Sequence, residues 1–82
     1  MKLKIGHFYL YRGRYRNWTN IWKVIEKDYD NNIVNVKVIW DNKADGMNWA
    51  NKILSFNISN LERKPETELK EIKEEDIILE LI

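Results

Sequence analysis

The sequence contains no cysteine, which excludes a disulfide framework and a metal site built on thiolates. A small chain without disulfides is typical of reducing surroundings, so we expect a cytoplasmic location. His7 is the single histidine, and the three glycines are scattered along the chain. These counts argue against a multi-histidine metal site and against a glycine-rich phosphate loop. We therefore expect no catalytic residue, no metal and no cofactor, and a protein that binds a partner without acting as an enzyme.

Long apolar runs are also missing. No segment approaches the roughly 20 apolar residues of a transmembrane helix, and residues 1–7 are not followed by the apolar stretch of a signal peptide. We expect no membrane contact. With 82 residues the chain has room for one domain, since a compact unit usually needs about 50 to 200 residues. Four Trp, four Tyr and two Phe supply the large side chains on which such a small domain depends.

Charge is unevenly distributed along the chain. Residues 1–52 carry ten Lys and Arg against five Asp and Glu, whereas residues 53–82 carry four against eight. A basic body with an acidic tail permits attraction to phosphates. It equally permits the tail to fold back on the body, or a solvated surface of mixed charge.

Apolar and polar residues alternate over most of the body, which is typical of β-strands. The alternation predicts strands at 7–16, 21–27, 33–41 and 52–56, separated by polar turns. The third strand is the clearest, and its four apolar residues in alternate register are expected to share one face: Val34, Val36, Val38 and Trp40. A tight turn or a single 3₁₀ turn is expected within 55–61.

The tail begins at Pro65, which breaks the chain. Residues 66–72 predict a fifth strand that pairs with the first. Acidic residues at 74–76 precede apolar residues at helical spacing, so a short C-terminal helix is expected. One strand through Leu81, or one helix from Pro65 onward, is the alternative. The expected architecture is mainly β, a five-stranded barrel body at 1–64 with an acidic segment, strand then short helix, at 65–82 packed on it.

The second and third strands resemble a known family. The runs IWKVI at 21–25, VKVIWDN at 36–42 and ISNL at 58–61 are similar to the SH3-like barrels of the Tudor type, over about residues 5–62. The resemblance implies a five-stranded SH3-like barrel. Many family members hold a methylated Lys or Arg in an aromatic cage, for which Trp18 or Trp22 with Trp40 would supply walls and Asp41 the polar partner. After Asp41 the sequence departs from the family's aromatic-Gly-Asn run.

The most distinctive stretch of the chain combines arginines with aromatic residues over 9–18. If it is extended, alternate residues lie about 7 Å apart, which roughly matches the phosphate repeat of a nucleic-acid strand. The neighbouring rings are then placed to stack on bases. The candidate nucleic-acid-binding residues are Arg12, Arg14, Arg16, Tyr11, Tyr15 and Trp18.

Other interpretations remain open at this point. The arginines also suit ion pairs with Glu62, Glu66 or Glu68 of the tail. The leading hypothesis is a module that contacts nucleic acid or a nucleic-acid-associated assembly. The second is a small protein-binding inhibitor or adaptor of viral or mobile-element origin, and the third is a reader of methylated Lys or Arg. Candidate cage or anchor residues for these alternatives are Trp18, Trp22, Trp40, Asp41 and Trp49.

The apolar end of the tail has two interpretations. Its side chains either cover the open mouth of the barrel or form a contact with another chain. The residues expected in a homodimer or partner contact are Ile77, Ile78, Leu81 and Ile82.

Overall fold

The computed structural model of the protein describes residues 1–13, 17–44 and 46–80. Five strands form one antiparallel sheet in the order β4-β3-β2-β1-β5. The strands are β1 (Phe8–Arg12), β2 (Thr19–Asp28), β3 (Ile33–Asp41), β4 (Ile53–Asn57) and β5 (Leu69–Ile72). Helix α1 (Ile58–Glu62) follows β4, and a 3₁₀ turn (Glu74–Asp76) leads into the short helix α2 (Ile77–Glu80). The mainly β class, the five strands and the short C-terminal helix are confirmed, and the sheet is not closed into a barrel.

The longest hairpin joins β2 to β3 through a polar turn. Asp28 pairs with Ile33 across its base, and Asn32 takes a positive φ of 57°, which asparagine tolerates better than most residues. The Asp28 carboxylate accepts the side-chain amide of Asn31 at 2.7 Å and its backbone N–H at 3.2 Å. These hydrogen bonds from Asn31 lower the pKa of Asp28. The turn residues therefore fix the hairpin by their own side chains.

A β-bulge in β3 decides which side chains face which side of the sheet. Ile21 pairs with Trp40 and Trp22 pairs with Val38, so Ile39 is an extra residue in β3. An extra residue reverses the alternation of faces beyond it. Trp40 therefore lies on the face opposite Val38, and the prediction that Trp40 shares the valine face is wrong.

The inner face of the sheet carries the main core. The three valines of β3 are each fully buried there, as the alternation predicted. The buried residues of this core come from the N-terminal segment, four strands and α1: Leu3, Tyr9, Trp22, Val24, Val34, Val36, Val38, Ile58, Leu61 and Leu69. Leu54 and Phe56 of β4 pack against it and are themselves half-buried. Fully burying one such side chain stabilises the fold by about 1.5–3 kcal/mol.

A smaller apolar cluster covers part of the outer face. Its buried members are Leu10, Ile21 and Ile72, and the half-buried residues packed on them are Phe8, Trp40 and Ile77. The described apolar end of the tail therefore packs on the outer face through Ile77. Ile78 and Leu79 are 71% and 68% exposed, and Leu81 and Ile82 lie outside the described residues.

No helix within residues 1–13, 17–44 and 46–80 has the length and apolar character needed to cross a bilayer.

Candidate functional site

Three neighbouring strands place polar and aromatic side chains in one row at the same end of the sheet. Tyr11 of β1 pairs with Asn20 of β2, and Asn20 pairs with Asp41 of β3. The bulge at Ile39 turns Asp41 toward the inner face, which Asn20 and Tyr11 also face. Asn20 is 0% and Asp41 4% exposed. Burying a carboxylate is costly unless hydrogen bonds satisfy it. The hydrogen-bond partners of Asp41 therefore determine which segments are held at this end of the sheet.

Asp41 accepts hydrogen bonds from three neutral groups of the described residues. Its Oδ1 accepts the side-chain amide of Asn20 at 2.6 Å and the indole N–H of Trp18 at 2.9 Å. Its Oδ2 accepts the backbone N–H of Trp49 at 3.0 Å. Within the described part of the chain, no cationic side chain forms an ion pair with this carboxylate. Asp41 thus ties the segment before β2 and the segment after β3 to the ends of the strands.

The Trp18 ring, which binds this carboxylate, belongs to a row of aromatic rings. Tyr11 stacks on Trp22 with ring centroids 4.7 Å apart, and its ring meets Trp18 edge to face at 5.7 Å and 82°. Trp18 in turn meets Trp49 edge to face at 6.2 Å and 67°. Such aromatic pairs stabilise by about 0.5–1.5 kcal/mol beyond the area they bury. We call the group Tyr11, Trp18, Asp41 and Trp49 the aromatic end.

Lysine ammonium groups lie over two rings of the aromatic end. Lys52 Nζ lies 5.7 Å from the ring centre of Trp49, and Lys64 Nζ lies 5.9 Å from that of Tyr11. Lys64 also pairs with Glu68 at 3.3 Å. All three rings of the aromatic end are half-buried, so each retains surface that solvent reaches. The aromatic end is therefore a row of three rings with a lysine over each of the two outer rings.

Three of the six predicted nucleic-acid-binding residues lie in the described part of the chain, and two of these belong to the aromatic end. Tyr11 and Trp18 belong to it, and Arg12 is exposed at the end of β1, where its neighbour Tyr11 faces inward. The other three predicted residues, Arg14, Tyr15 and Arg16, lie outside the described residues. The chain enters that segment at Gly13, whose backbone N–H donates to the Trp18 carbonyl at 2.6 Å.

The predicted cage and anchor residues separate into two environments. Trp18, Asp41 and Trp49 are together in the aromatic end. Trp22 is only 1% exposed and is stacked between Tyr11 and Phe56, with its ring 4.9 Å from Phe56, so it is a core residue. Trp40 belongs to the outer cluster, so it does not contribute a wall near Asp41.

Sequence reasoning missed Asn20 as part of this site. Asn20 occupies the inner-face register of Trp22 and Val24, and a polar residue at a core position of a strand is the signal that points to a buried hydrogen-bond network. Its Nδ2 donates to Asp41 and to the Thr19 carbonyl. Its Oδ1 and the Nε1 of Trp22 have no hydrogen-bond partner among the described residues. The hydrogen-bond network is therefore only partly satisfied. Buried polar atoms without a partner destabilise a core.

A second polar group lies at the β5 edge of the sheet. The Nδ1 of His7 lies 3.0 Å from Glu71 Oε2, and because a carboxylate only accepts, the ring donates through Nδ1. This hydrogen bond is the main cause that lowers the pKa of Glu71, and the charge of Lys4 adds to it. An open groove of about 280 Å³ runs beside these two residues. Both side chains are substantially exposed, so the pair is a surface contact.

The described residues hold no group of three or more His, Cys, Asp or Glu side chains placed to bind a metal ion.

Comparison of the chain with protein-family models, with curated proteins and with solved structures finds no match.

Proposed function

We propose that this protein is a non-enzymatic binding module that takes single-stranded nucleic acid at the aromatic end. The observation that carries the proposal is the position of two lysine ammonium groups over half-buried rings, Lys52 over Trp49 and Lys64 over Tyr11. Proteins that bind single strands combine rings that stack on bases with cations that face phosphates. The aromatic end has both within one surface.

Arginines extend this surface on the side of β1. Arg12 is exposed where β1 ends, and the segment that carries Arg14 and Arg16 follows directly in the sequence. Guanidinium groups pair with phosphates and also stack on bases. In the proposed complex Arg12 adds a phosphate contact at the end of β1, and Arg14 and Arg16 are proposed to add further ones.

The proposed mode has weak base preference and strong salt dependence. Stacking contributes about 1–3 kcal/mol per base and is available to every base. Each neutralised phosphate releases counterions, so the slope of log K against log salt is close to −0.7 per contact on a single strand.

The test is fluorescence anisotropy with labelled single-stranded and double-stranded oligonucleotides at about 50 and 200 mM salt. We expect Lys52→Gln to flatten the salt slope by about 0.7 for the single strand. We expect Trp49→Ala to weaken binding by about 5- to 150-fold, the equivalent of one lost stacking contact. The backbone N–H of Trp49, which binds Asp41, is retained in that variant.

Two matched controls lie away from the aromatic end. Lys37→Gln removes the same charge from an exposed position in the middle of β3. Tyr29→Ala removes an exposed ring at the opposite end of the sheet, where Lys27 Nζ lies 4.5 Å from the ring centre. Both controls should bind as the wild type does. Absence of binding at about 50 mM salt, or equal losses in controls and test variants, contradicts the proposal.

A second candidate function is supported by Asp41. Among the described residues its buried carboxylate has neutral donors as partners, the Trp18 indole and the Trp49 backbone N–H, and the rings of these two residues meet at 67°. Rings at steep angles near a carboxylate suit a methylated ammonium group. The test is NMR titration of the Trp18 indole N–H with a trimethyl-lysine peptide and its unmethylated counterpart. A response to the methylated peptide alone, together with no oligonucleotide binding, favours this function over the first.

We also propose that the fold is related to the SH3-like barrels of the Tudor type. The antiparallel order β4-β3-β2-β1-β5 is compatible with a small barrel-like fold. A one-turn helix, α1, follows β4 and buries Leu61, the residue that ends the ISNL run. These two features are the support for the relationship.

A further inference from the structure

The two edges of the sheet differ in charge. β5, at one edge, contains Lys70 and Glu71 and is followed by the acidic turn 74–76. β4, at the other edge, has the sequence ILSFN and carries no charge. Proteins commonly protect edge strands from pairing with other chains by charged side chains, proline or bulges. The β5 edge has such protection, whereas β4 has none within its five residues.

The register of the ladder shows where the backbone groups of β4 point. The Val38 N–H donates to the Lys52 carbonyl at 2.9 Å, and the Ile58 N–H donates to the Asn32 carbonyl at 3.0 Å. In an antiparallel ladder the hydrogen-bonded pairs recur at every second residue. Leu54 and Phe56, which lie between these two hydrogen bonds and pair with Val36 and Val34, therefore direct their backbone groups toward β3. The odd-numbered residues Ile53, Ser55 and Asn57 direct theirs to the open edge.

We propose that β4 is a homodimerisation edge, which pairs antiparallel with β4 of a second copy about a two-fold axis at Ser55. In this register Ser55 lies opposite Ser55 of the second copy, and the two residues exchange both N–H···O=C bonds. Ile53 and Asn57 form the flanking hydrogen-bonded pairs. The sheets of the two copies then become one continuous sheet.

Self-complementarity identifies the occupant as a second copy. On the inner face Leu54 lies opposite Phe56 of the other chain, so half-buried apolar side chains of both copies meet. On the outer face Ile53, which is 61% exposed, comes to lie beside Asn57. Since β4 is uncharged, no like charges oppose each other in this register. Two-fold pairing also uses both β4 edges at once, so the assembly closes as a dimer and does not continue into a fibre.

The main test is sedimentation equilibrium of the full chain between about 1 and 300 μM, the range in which interfaces of modest size dissociate. We expect a monomer–dimer equilibrium. Ser55→Lys and Ser55→Glu each place like charges directly across the axis, so each should raise the dimer Kd at least about tenfold. An equimolar mixture of the two variants places opposite charges across the axis and should restore dimerisation. Far-UV circular dichroism of each variant checks that the monomer remains folded.

Ile78→Lys is the matched control, because it adds the same charge at an exposed position of α2. It should leave the dimer Kd within about twofold of wild type. If Ile78→Lys dissociates the dimer and Ser55→Lys does not, the interface lies on α2 and the proposal is overturned. A chain that is monomeric at all these concentrations also overturns it.

Hydrogen exchange gives a second readout that needs no variant. Pairing at β4 predicts that the amide of Ser55 exchanges more slowly as protein concentration rises, because its N–H becomes bonded to the second copy. The amide of Leu54, already directed at β3, should change much less. Exchange at Ser55 that is independent of concentration in a sample containing dimer argues against β4 as the interface.

Discussion

The substitution Asp41→Asn measures how much the aromatic end depends on a buried charge. In the best arrangement of this variant, the Oδ1 of the introduced asparagine still accepts from Asn20 and Trp18, whose donors lie 2.6 and 2.9 Å from Asp41 Oδ1 in the wild type. The new amide nitrogen then faces the Trp49 backbone N–H, which binds Asp41 Oδ2 at 3.0 Å. Two donors face each other there, and one hydrogen bond is lost.

The expected destabilisation follows from these contacts. An unsatisfied buried donor costs about 1–3 kcal/mol, and two bonds that change from a charged to a neutral acceptor lose about 1 kcal/mol each. Because the variant no longer buries a charge, about 1–2 kcal/mol of this destabilisation is offset. The net loss is therefore about 1–4 kcal/mol, a large fraction of the stability of a small domain.

Urea unfolding monitored by far-UV circular dichroism is the assay, because two of the four tryptophans contact Asp41 and their fluorescence will change in the variant. With an m-value near 1 kcal/mol/M, the midpoint should fall by about 1–4 M. Asp30→Asn makes the same chemical change at an exposed turn position and should move the midpoint by less than about 0.5 M. Equal midpoints for Asp41→Asn and Asp30→Asn would refute the reasoning that this carboxylate organises the aromatic end.

Two further predictions concern the tail and the β5 edge. Ile77→Ala should lower the free energy of unfolding by about 1–2 kcal/mol because Ile77 packs on the outer cluster. Ile78→Ala, at a position 71% exposed, should change it by less than about 0.5 kcal/mol, and equal effects in urea unfolding would contradict that packing. The pKa of Glu71 lies below its ordinary value of 4.5, mainly because of the His7 hydrogen bond. A lowered pKa stabilises the folded state above pH 4.5, and this contribution is lost as the pH falls through the folded-state value. The difference in urea midpoint between wild type and Glu71→Gln should therefore shrink between about pH 6 and pH 3, and a difference that is constant over this range would exclude that linkage.

The alternation of apolar and polar residues predicted where the strands lie, because alternation is a local property of an extended chain. The first strand, predicted over 7–16, ends already at Arg12. Val34, Val36 and Val38 occupy the predicted buried face of β3. The prediction failed at Trp40, two residues further along the same strand. The reason is the pairing of Ile21 with Trp40, which leaves Ile39 as an extra residue. A bulge depends on the partner strand, and no feature of residues 33–41 alone specifies it.

The candidate site was predicted only in part, because it too depends on how the strands pair. Tyr11, Trp18, Asp41 and Trp49 were all named from the sequence, yet in two different hypothetical sites. Asn20 was not named, although it joins them as a donor to Asp41. Residues 11, 20 and 41 are far apart in the sequence and become neighbours only through strand pairing. Which aromatic residues are core and which reach solvent was decided by the same pairing.

The sequence by itself determined the absence of cysteine, the strand segments, the polar turns between them and the acidic tail, because composition and periodicity act over a few residues. The tertiary structure alone decided that Asp41 faces inward, that Trp22 is enclosed between Tyr11 and Phe56, and that Ile77 packs on the outer face. It also decided that the uncharged strand β4 lies at an edge. Each of these features depends on contacts between distant parts of the chain. Such contacts form, and stabilise the fold, only once the strands have paired.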